Sequence, residues 1–146
     1  MGPENQKRGA GVAPINAALD AMRTVKSEQE RGMTTDAVKI DFAKMDGLVP
    51  AMVQDAATGE MLMLGFVNEE SYAKTLETGF VTFWSRTRRK LWMKGETSGN
   101  RLRVLSAATD CDNDALLFKV AVEGDGLVCH EGTVSCFTKP LAVGGR

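Results

Sequence analysis

The chain has 146 residues, which suits one domain and leaves little room for two. It is 43% hydrophobic and 25% charged, and its net charge of −1 excludes a global basic field for nucleic acid or an anionic membrane. No apolar run approaches the roughly 20 residues that span a bilayer. Met1 to Ala10 is polar and lacks the hydrophobic stretch of a secretory signal, so a cytoplasmic protein is expected.

Residues 1–32 differ from the rest. Met1 to Gly9 is turn-like, and Ile15, Leu19 and Met22 fall at helical spacing on a thin apolar stripe. This segment reads as a flexible or loosely helical N-terminal extension, with residues 33–146 as the folded domain and its compact part beginning near Val38. Leu48 to Gln54 reads as a strand, Asp55 to Gly59 as a turn, and Glu60 to Val67 as the returning strand of a hairpin. Pro50 predicts an edge position or a strand start. A helix follows: Asn68 caps it, Glu69 and Glu70 suit its dipole, and Gly79 stops it. Val67 and Tyr72 are spaced for a hydrophobic staple, and Tyr72 and Leu76 share the face expected to be apolar. Phe80 to Ser85 and Leu91 to Lys94 read as paired strands across the basic turn Arg86 to Lys90. Gly95 to Asn100 is a polar loop. Arg101 to Ala107 and Ala115 to Val122 are two further strands, Gly124 to Gly126 is a turn, and nothing is patterned from Pro140 on. The expected fold is α+β and predominantly β: one compact β-rich domain with one or two short helices.

Three cysteines, Cys111, Cys129 and Cys136, and one histidine, His130, stand out. An odd number of thiols cannot be fully paired within a chain, and cytoplasmic thiols are rarely paired structurally. Free cysteines are often small core residues, but each of these sits in polar or glycine-rich sequence, which points to metal binding or catalysis. In Asp110-Cys111-Asp112-Asn113-Asp114, alternation on an extended segment would put three carboxylates on one face and Cys111 on the other. Clustered carboxylates repel unless a cation lies between them. Their hard oxygens suit Mg²⁺, and the soft thiolate suits Zn²⁺. An EF-hand loop is excluded, because Ala115 stands where its glycine belongs and Ala121 where its glutamate belongs. A solvated acidic turn is the competing reading. In Cys129-His130-Glu131-Gly132-Thr133-Val134-Ser135-Cys136, two thiolates separated by six residues can meet at one ion across a glycine turn, and Cys111 would make a third sulfur ligand. His130 could close a four-ligand site or act as an acid–base group beside an open one.

The tract Ser85-Arg86-Thr87-Arg88-Arg89-Lys90 puts four cations in five positions. Arginine forks match phosphate oxygens, and in the stretch that follows, Lys94 to Asn100, hydroxyls and glycine backbone amides can complete a phosphate cradle. A hydrated hairpin tip and a nucleic-acid patch, with Trp84 and Trp92 as stacking partners, are the other readings. The patch is disfavoured because the basic stretch is short.

Taken in order, Trp84-Ser85-Arg86-Thr87-Arg88, Leu91 to Gly99, Asp110 to Asp114, Cys129-His130-Glu131-Gly132 and Ser135-Cys136-Phe137 resemble phosphoribosyl-AMP cyclohydrolase of histidine biosynthesis. The likeness runs from about Leu48 to Phe137. Thr87 stands where the family often has Ser, and Glu131 where it often has Thr. Some relatives carry a fused phosphoribosyl-ATP pyrophosphohydrolase domain. This chain ends nine residues after Phe137, so the single-function form is expected. The resemblance implies a β-rich, intertwined homodimer with zinc sites across the subunit interface. It implies zinc on Cys111, Cys129 and Cys136, and Mg²⁺ on Asp110, Asp112 and Asp114. It also implies phosphoribosyl-AMP as substrate and hydrolysis of the N1–C6 bond of its adenine ring, with zinc activating the attacking water and Mg²⁺ assisting substrate binding.

The residues fit that chemistry. Substitution at N1 disturbs the ring and leaves C6 open to attack, as in zinc deaminases acting on related bases. Three thiolates would acidify a zinc-held water less than neutral ligands do, which leaves work for a general base, and His130 is the expected one. Ser85, Arg86, Arg88, Arg89, Lys94, Glu96, Thr97 and Ser98 are the expected substrate contacts. The rival from another class is a non-enzymatic zinc-stabilised module that binds a nucleotide or short RNA. A nucleobase deaminase lacks support because its His-x-Glu and Pro-Cys-x-x-Cys signature is missing.

Overall fold

Alternation builds the first sheet. In β1 (Val49–Asp55) the side chains of Val49, Ala51 and Val53 are buried while Met52 faces outward. β2 (Met61–Val67) returns antiparallel, pairing Val49 with Val67 and Met52 with Leu64. The Asp55 carboxylate closes the intervening turn by accepting the Ala57 and Thr58 N–H groups at 2.8 and 3.2 Å. These coordinates are a computed structural model that describes residues 38–145. The expected N-terminal helix and the boundary between 32 and 33 lie outside the described residues.

β5 (Leu102–Thr109) and β6 (Leu116–Val122) complete a four-stranded sheet in the order β2-β1-β6-β5, with β1 parallel to β6 and the other pairs antiparallel. β1 is therefore an interior strand, which corrects the edge reading of Pro50. Its other reading, a strand start, holds: the β6 ladder begins at Ala51 opposite Leu116, one residue after the proline. β3 (Thr82–Ser85) and β4 (Lys90–Met93) form a separate two-stranded sheet. Phe80 and Val81, expected at the start of β3, instead reach β5 through a bridge to Arg103 and a bond from the Val81 N–H to the Leu102 carbonyl at 3.0 Å. The hairpin lies against β2 through Phe83, whose ring fills the space a side chain at Gly65 would need. Phe83 also packs on Trp92 with ring centroids 5.5 Å apart. Phe83, Phe118, Leu62, Leu102, Leu116 and Val120 are the large fully buried residues between these elements.

The one helix among the described residues, α1 (Glu69–Thr78), has the expected ends. The Asn68 side chain accepts the Ser71 N–H at 2.8 Å, Ser71 Oγ accepts the Asn68 N–H at 2.9 Å, and Gly79 ends the helix in the left-handed region. Its buried face is only partly the expected one: Tyr72 packs against the core, but Leu76 does not share its burial. Ser71 and Thr75 are buried, while Leu76 is 58% exposed. The reason is polar. Thr75 Oγ1 accepts the Thr82 N–H at 2.9 Å and donates to the Ser71 and Thr82 carbonyls, so the helix docks on β3 through hydroxyl bonds.

Candidate functional site

The acidic segment between β5 and β6 is a turn, not an extended strand. The Asp110 N–H donates to the Ala115 carbonyl at 3.1 Å, and Asp110 Oδ1 accepts the Asp114 and Ala115 N–H groups at 3.0 and 3.2 Å. Asn113 takes a left-handed φ of 63°, which asparagine tolerates. Oxygens of Asp110, Asp112 and Asp114 then lie within 4.8 Å of one another. The carboxylates converge as expected, but the curl of the backbone gathers them, not strand alternation. Cys111 Sγ is exposed and 4.0 Å from Asp112 Oδ1.

Sequence reading missed a cation here. Lys44 Nζ lies 3.2 Å from Asp112 Oδ2 and 3.3 Å from Asp114 Oδ2. The Asp41 N–H also bonds the Asn113 carbonyl at 2.7 Å, tying Lys44's segment to the loop. The bonds to Asp112 and then Asp114 raise the Lys44 pKa. The bond to Asp114, then that to Lys44, holds Asp112 below its ordinary value. Desolvation, then the bond to Asp112, pushes Asp114 above its own. Lys44 is distant in sequence and lies in an unpatterned segment, so no sequence signal marked it.

The thiol segment is fastened to β2. The Cys136 N–H donates to the Leu62 carbonyl at 2.8 Å, and buried Ser135 donates its hydroxyl to the Met61 carbonyl at 2.8 Å. At the other end, the Cys129 N–H meets the Thr133 carbonyl at 3.0 Å, and the Gly132 N–H meets the Cys129 carbonyl at 2.9 Å. This fold-back sets the Cys129 and Cys136 thiols near enough to shift each other's ionisation. A backbone bond from Glu131, helped by Thr133 and Cys136, lowers the Cys129 pKa. Desolvation, then the neighbouring Cys129, raises that of Cys136. Cys111 does not join them: among the described residues the three sulfurs form no cluster within one chain.

Beside Cys129 lies a cleft of about 340 Å³, lined by Lys94, Glu96, Thr97 and Ser98 on one wall and by Val128, Cys129 and His130 on the other. Trp92 and Asn100 also line it, and the Lys94 ammonium sits 5.5 Å from the Trp92 ring. The His130 side chain is 87% exposed, with Nε2 3.9 Å from a Glu131 oxygen. The expected contacts Ser85, Arg86, Arg88 and Arg89 are not in the lining. They form the β3–β4 tip, where Ser85 Oγ accepts the Arg88 N–H at 3.1 Å and Arg86 stacks 4.1 Å from the Phe66 ring. The sequence places Asn100 only within a polar loop, where Gly99-Asn100 is a turn-forming pair.

These features define a class: a small β-sheet protein with a polar cleft bordered by Cys129 and His130 and, on a separate turn, three converging carboxylates, side chains of the kinds that serve hydrolytic enzymes. A family profile described as Phosphoribosyl-AMP cyclohydrolase matches residues 63–138. A phosphoribosyl-AMP cyclohydrolase of Solibacter usitatus (strain Ellin6076) is 58% identical over 107 residues, covering 73% of this chain and 84% of that protein. One from Desulfatibacillum aliphaticivorans is 55% identical over 102 residues, covering 70% and 81%. The histidine biosynthesis bifunctional protein HisIE of Escherichia coli (strain K12) is 58% identical over 99 residues, which span 68% of this chain but only 48% of that longer protein. The chain belongs to the phosphoribosyl-AMP cyclohydrolase family, enzymes of histidine biosynthesis.

Proposed function

We propose that this chain opens the adenine ring of phosphoribosyl-AMP at its N1–C6 bond, giving the phosphoribosyl-formimino imidazole carboxamide ribotide, the third step of histidine biosynthesis. It works as a cytoplasmic homodimer with zinc on Cys111, Cys129 and Cys136 and Mg²⁺ on Asp110, Asp112 and Asp114. The observation that carries the reading is the fold-back that fastens Ser135 and Cys136 to β2 while Cys129 lines a cleft together with His130 and Lys94. Two soft donors from one chain fit zinc, and the separation of Cys111 from them favours a site completed by a second copy. Three converging carboxylates fit a hard divalent ion. For location, no described helix is long and apolar enough to cross a membrane.

Zinc, when bound, supplies the Lewis acidity that makes water a competent nucleophile near neutral pH. The remaining work falls to the chain. His130, exposed at the rim of the cleft, takes a proton from the attacking water as its oxygen bonds C6. It returns a proton to N1 as the C6–N1 bond breaks, so the ring opens with water's atoms divided between the two ends. The Trp92 face offers a surface for the base. Lys94, Thr97 and Ser98 bind one phosphate end and Glu96 a sugar hydroxyl, while Ser85, Arg86, Arg88 and Arg89 hold the second phosphate. The test is turnover of phosphoribosyl-AMP by metal-replete protein, with zinc content measured on the same sample. Formation of the imidazole carboxamide product, lost on chelation and restored by zinc, is expected. Full zinc without turnover would instead favour a non-enzymatic binding module.

A further inference from the structure

The two walls of the cleft come from separate parts of the chain: the loop after β4, Lys94 to Asn100, and the segment Leu127 to Gly132 that carries Cys129 and His130. Among the described residues, Asn100 is the side chain whose hydrogen bonds join them. Its Nδ2 donates to the Leu127 carbonyl at 2.9 Å, and its Oδ1 accepts the Asp125 N–H at 3.0 Å. An amide donates from one atom and accepts at another, so one short side chain reaches two backbone groups, which a carboxylate of the same shape cannot do. On its own wall, the Asn100 N–H donates to Ser98 Oγ at 3.1 Å, and the Gly99 N–H donates to the Gly95 carbonyl at 2.8 Å. The backbone has been cleared for this residue. A Cβ on Gly124 would fall 2.0 Å from Asn100 Oδ1, and one on Gly95 would fall 2.3 Å from the Asn100 carbonyl carbon. Both glycines also have positive φ, so two costly glycines serve one asparagine.

The geometry points to Asn100 as a positioning residue for the ring-opening reaction. It fixes the separation between the wall that binds the substrate's polar groups and the wall that presents Cys129 and His130. This rests on the reading of the cleft as the substrate site. Misplacing reacting groups by about 1 Å can cost on the order of 100-fold in rate, so a loosened clamp should act on turnover more than on folding.

The test compares Asn100→Ala, Asn100→Asp, Lys94→Met and Thr75→Val in the full, metal-replete chain. Measured are kcat and KM for phosphoribosyl-AMP, thermal midpoint, and amide hydrogen exchange over 125–132. Asn100→Ala should lose about 10- to 100-fold in kcat, with faster exchange confined to that segment. Asn100→Asp keeps the acceptor for Asp125 but loses the donor to Leu127, so it should fall between Asn100→Ala and wild type; it also stands in should Asn100→Ala not fold. Thr75→Val removes a buried bond to Thr82, outside the cleft lining, and should lower the midpoint while kcat and KM stay within about twofold. Equal kinetic loss in Thr75→Val at matched midpoint would overturn the clamp as mere destabilisation. Normal kinetics in both Asn100 variants with Lys94→Met impaired would overturn the clamp and leave the cleft intact. Normal kinetics in all three cleft variants would overturn the clamp and the cleft reading together.

Discussion

The acidic loop and the thiol segment are both short polar turns that gather metal-type donors, yet they are assembled differently. Asp110 to Asp114 closes on itself. Its three carboxylates converge through backbone bonds inside one turn, and its distant partners among the described residues, Asp41 and Lys44, come from one neighbouring segment. Cys129 to Cys136 brings only two thiols together, and does so by fastening Ser135 and Cys136 to β2, more than seventy residues earlier. Cys111, the third thiol, sits on the other turn. A hard-ion site can be written locally, because carboxylates tolerate varied geometry and high coordination. A tetrahedral thiolate site asks for donors from several directions, which a single turn cannot supply.

The largest expected effect strikes the thiol side of that contrast. Replacing Cys111, Cys129 or Cys136 by Ser should remove tight zinc binding and bring activity below about 1% of wild type, because no spare sulfur exists. Zinc stoichiometry and turnover on the same sample are the check. Normal turnover with full zinc in Cys136→Ser would abolish the assignment. Next comes His130→Ala, where metal and fold should remain while the rate falls about 100- to 10,000-fold, the usual loss of one general base. Released zinc would instead make His130 the fourth ligand, and near-normal turnover would return it to an ordinary surface residue.

On the carboxylate side, Asp112→Asn should raise the Mg²⁺ concentration for half-maximal activity by about tenfold. Zinc content should be unchanged. Parallel loss of zinc and fold would show that the two turns are not separable. The smallest effect lies away from both. Asn68→Ala removes the α1 cap and should cost about 1 kcal/mol in denaturant unfolding with no change in kcat or KM. A kinetic effect there would mean that α1 couples to the cleft.

Much of the fold was legible because it is written over short distances. Alternating burial in β1, the Asp55 turn, the Asn68 cap and the Gly79 stop each depend on a few neighbouring residues and their backbone bonds. The burial of Thr75 in place of Leu76 was not legible, because hydroxyl bonds from Thr75 to Thr82 outweigh the pull of Leu76 toward an apolar surface. Donor chemistry was equally plain, since thiol, carboxylate and imidazole carry their preferences wherever they sit.

By itself, then, the sequence determined the elements, the ends of the helix, the identities of the donors and a family resemblance spread over ordered motifs from Trp84 to Phe137. Tertiary structure alone decided the interior position of β1, the ion pairs of Lys44 with the acidic loop, the absence of Arg86, Arg88 and Arg89 from the cleft lining, and the bonds of Asn100 across the cleft. The physical reason is range. Turn and cap bonds form between residues a few positions apart. Which distant side chains meet depends on strand order and register, and those follow from the packing of the whole core at once.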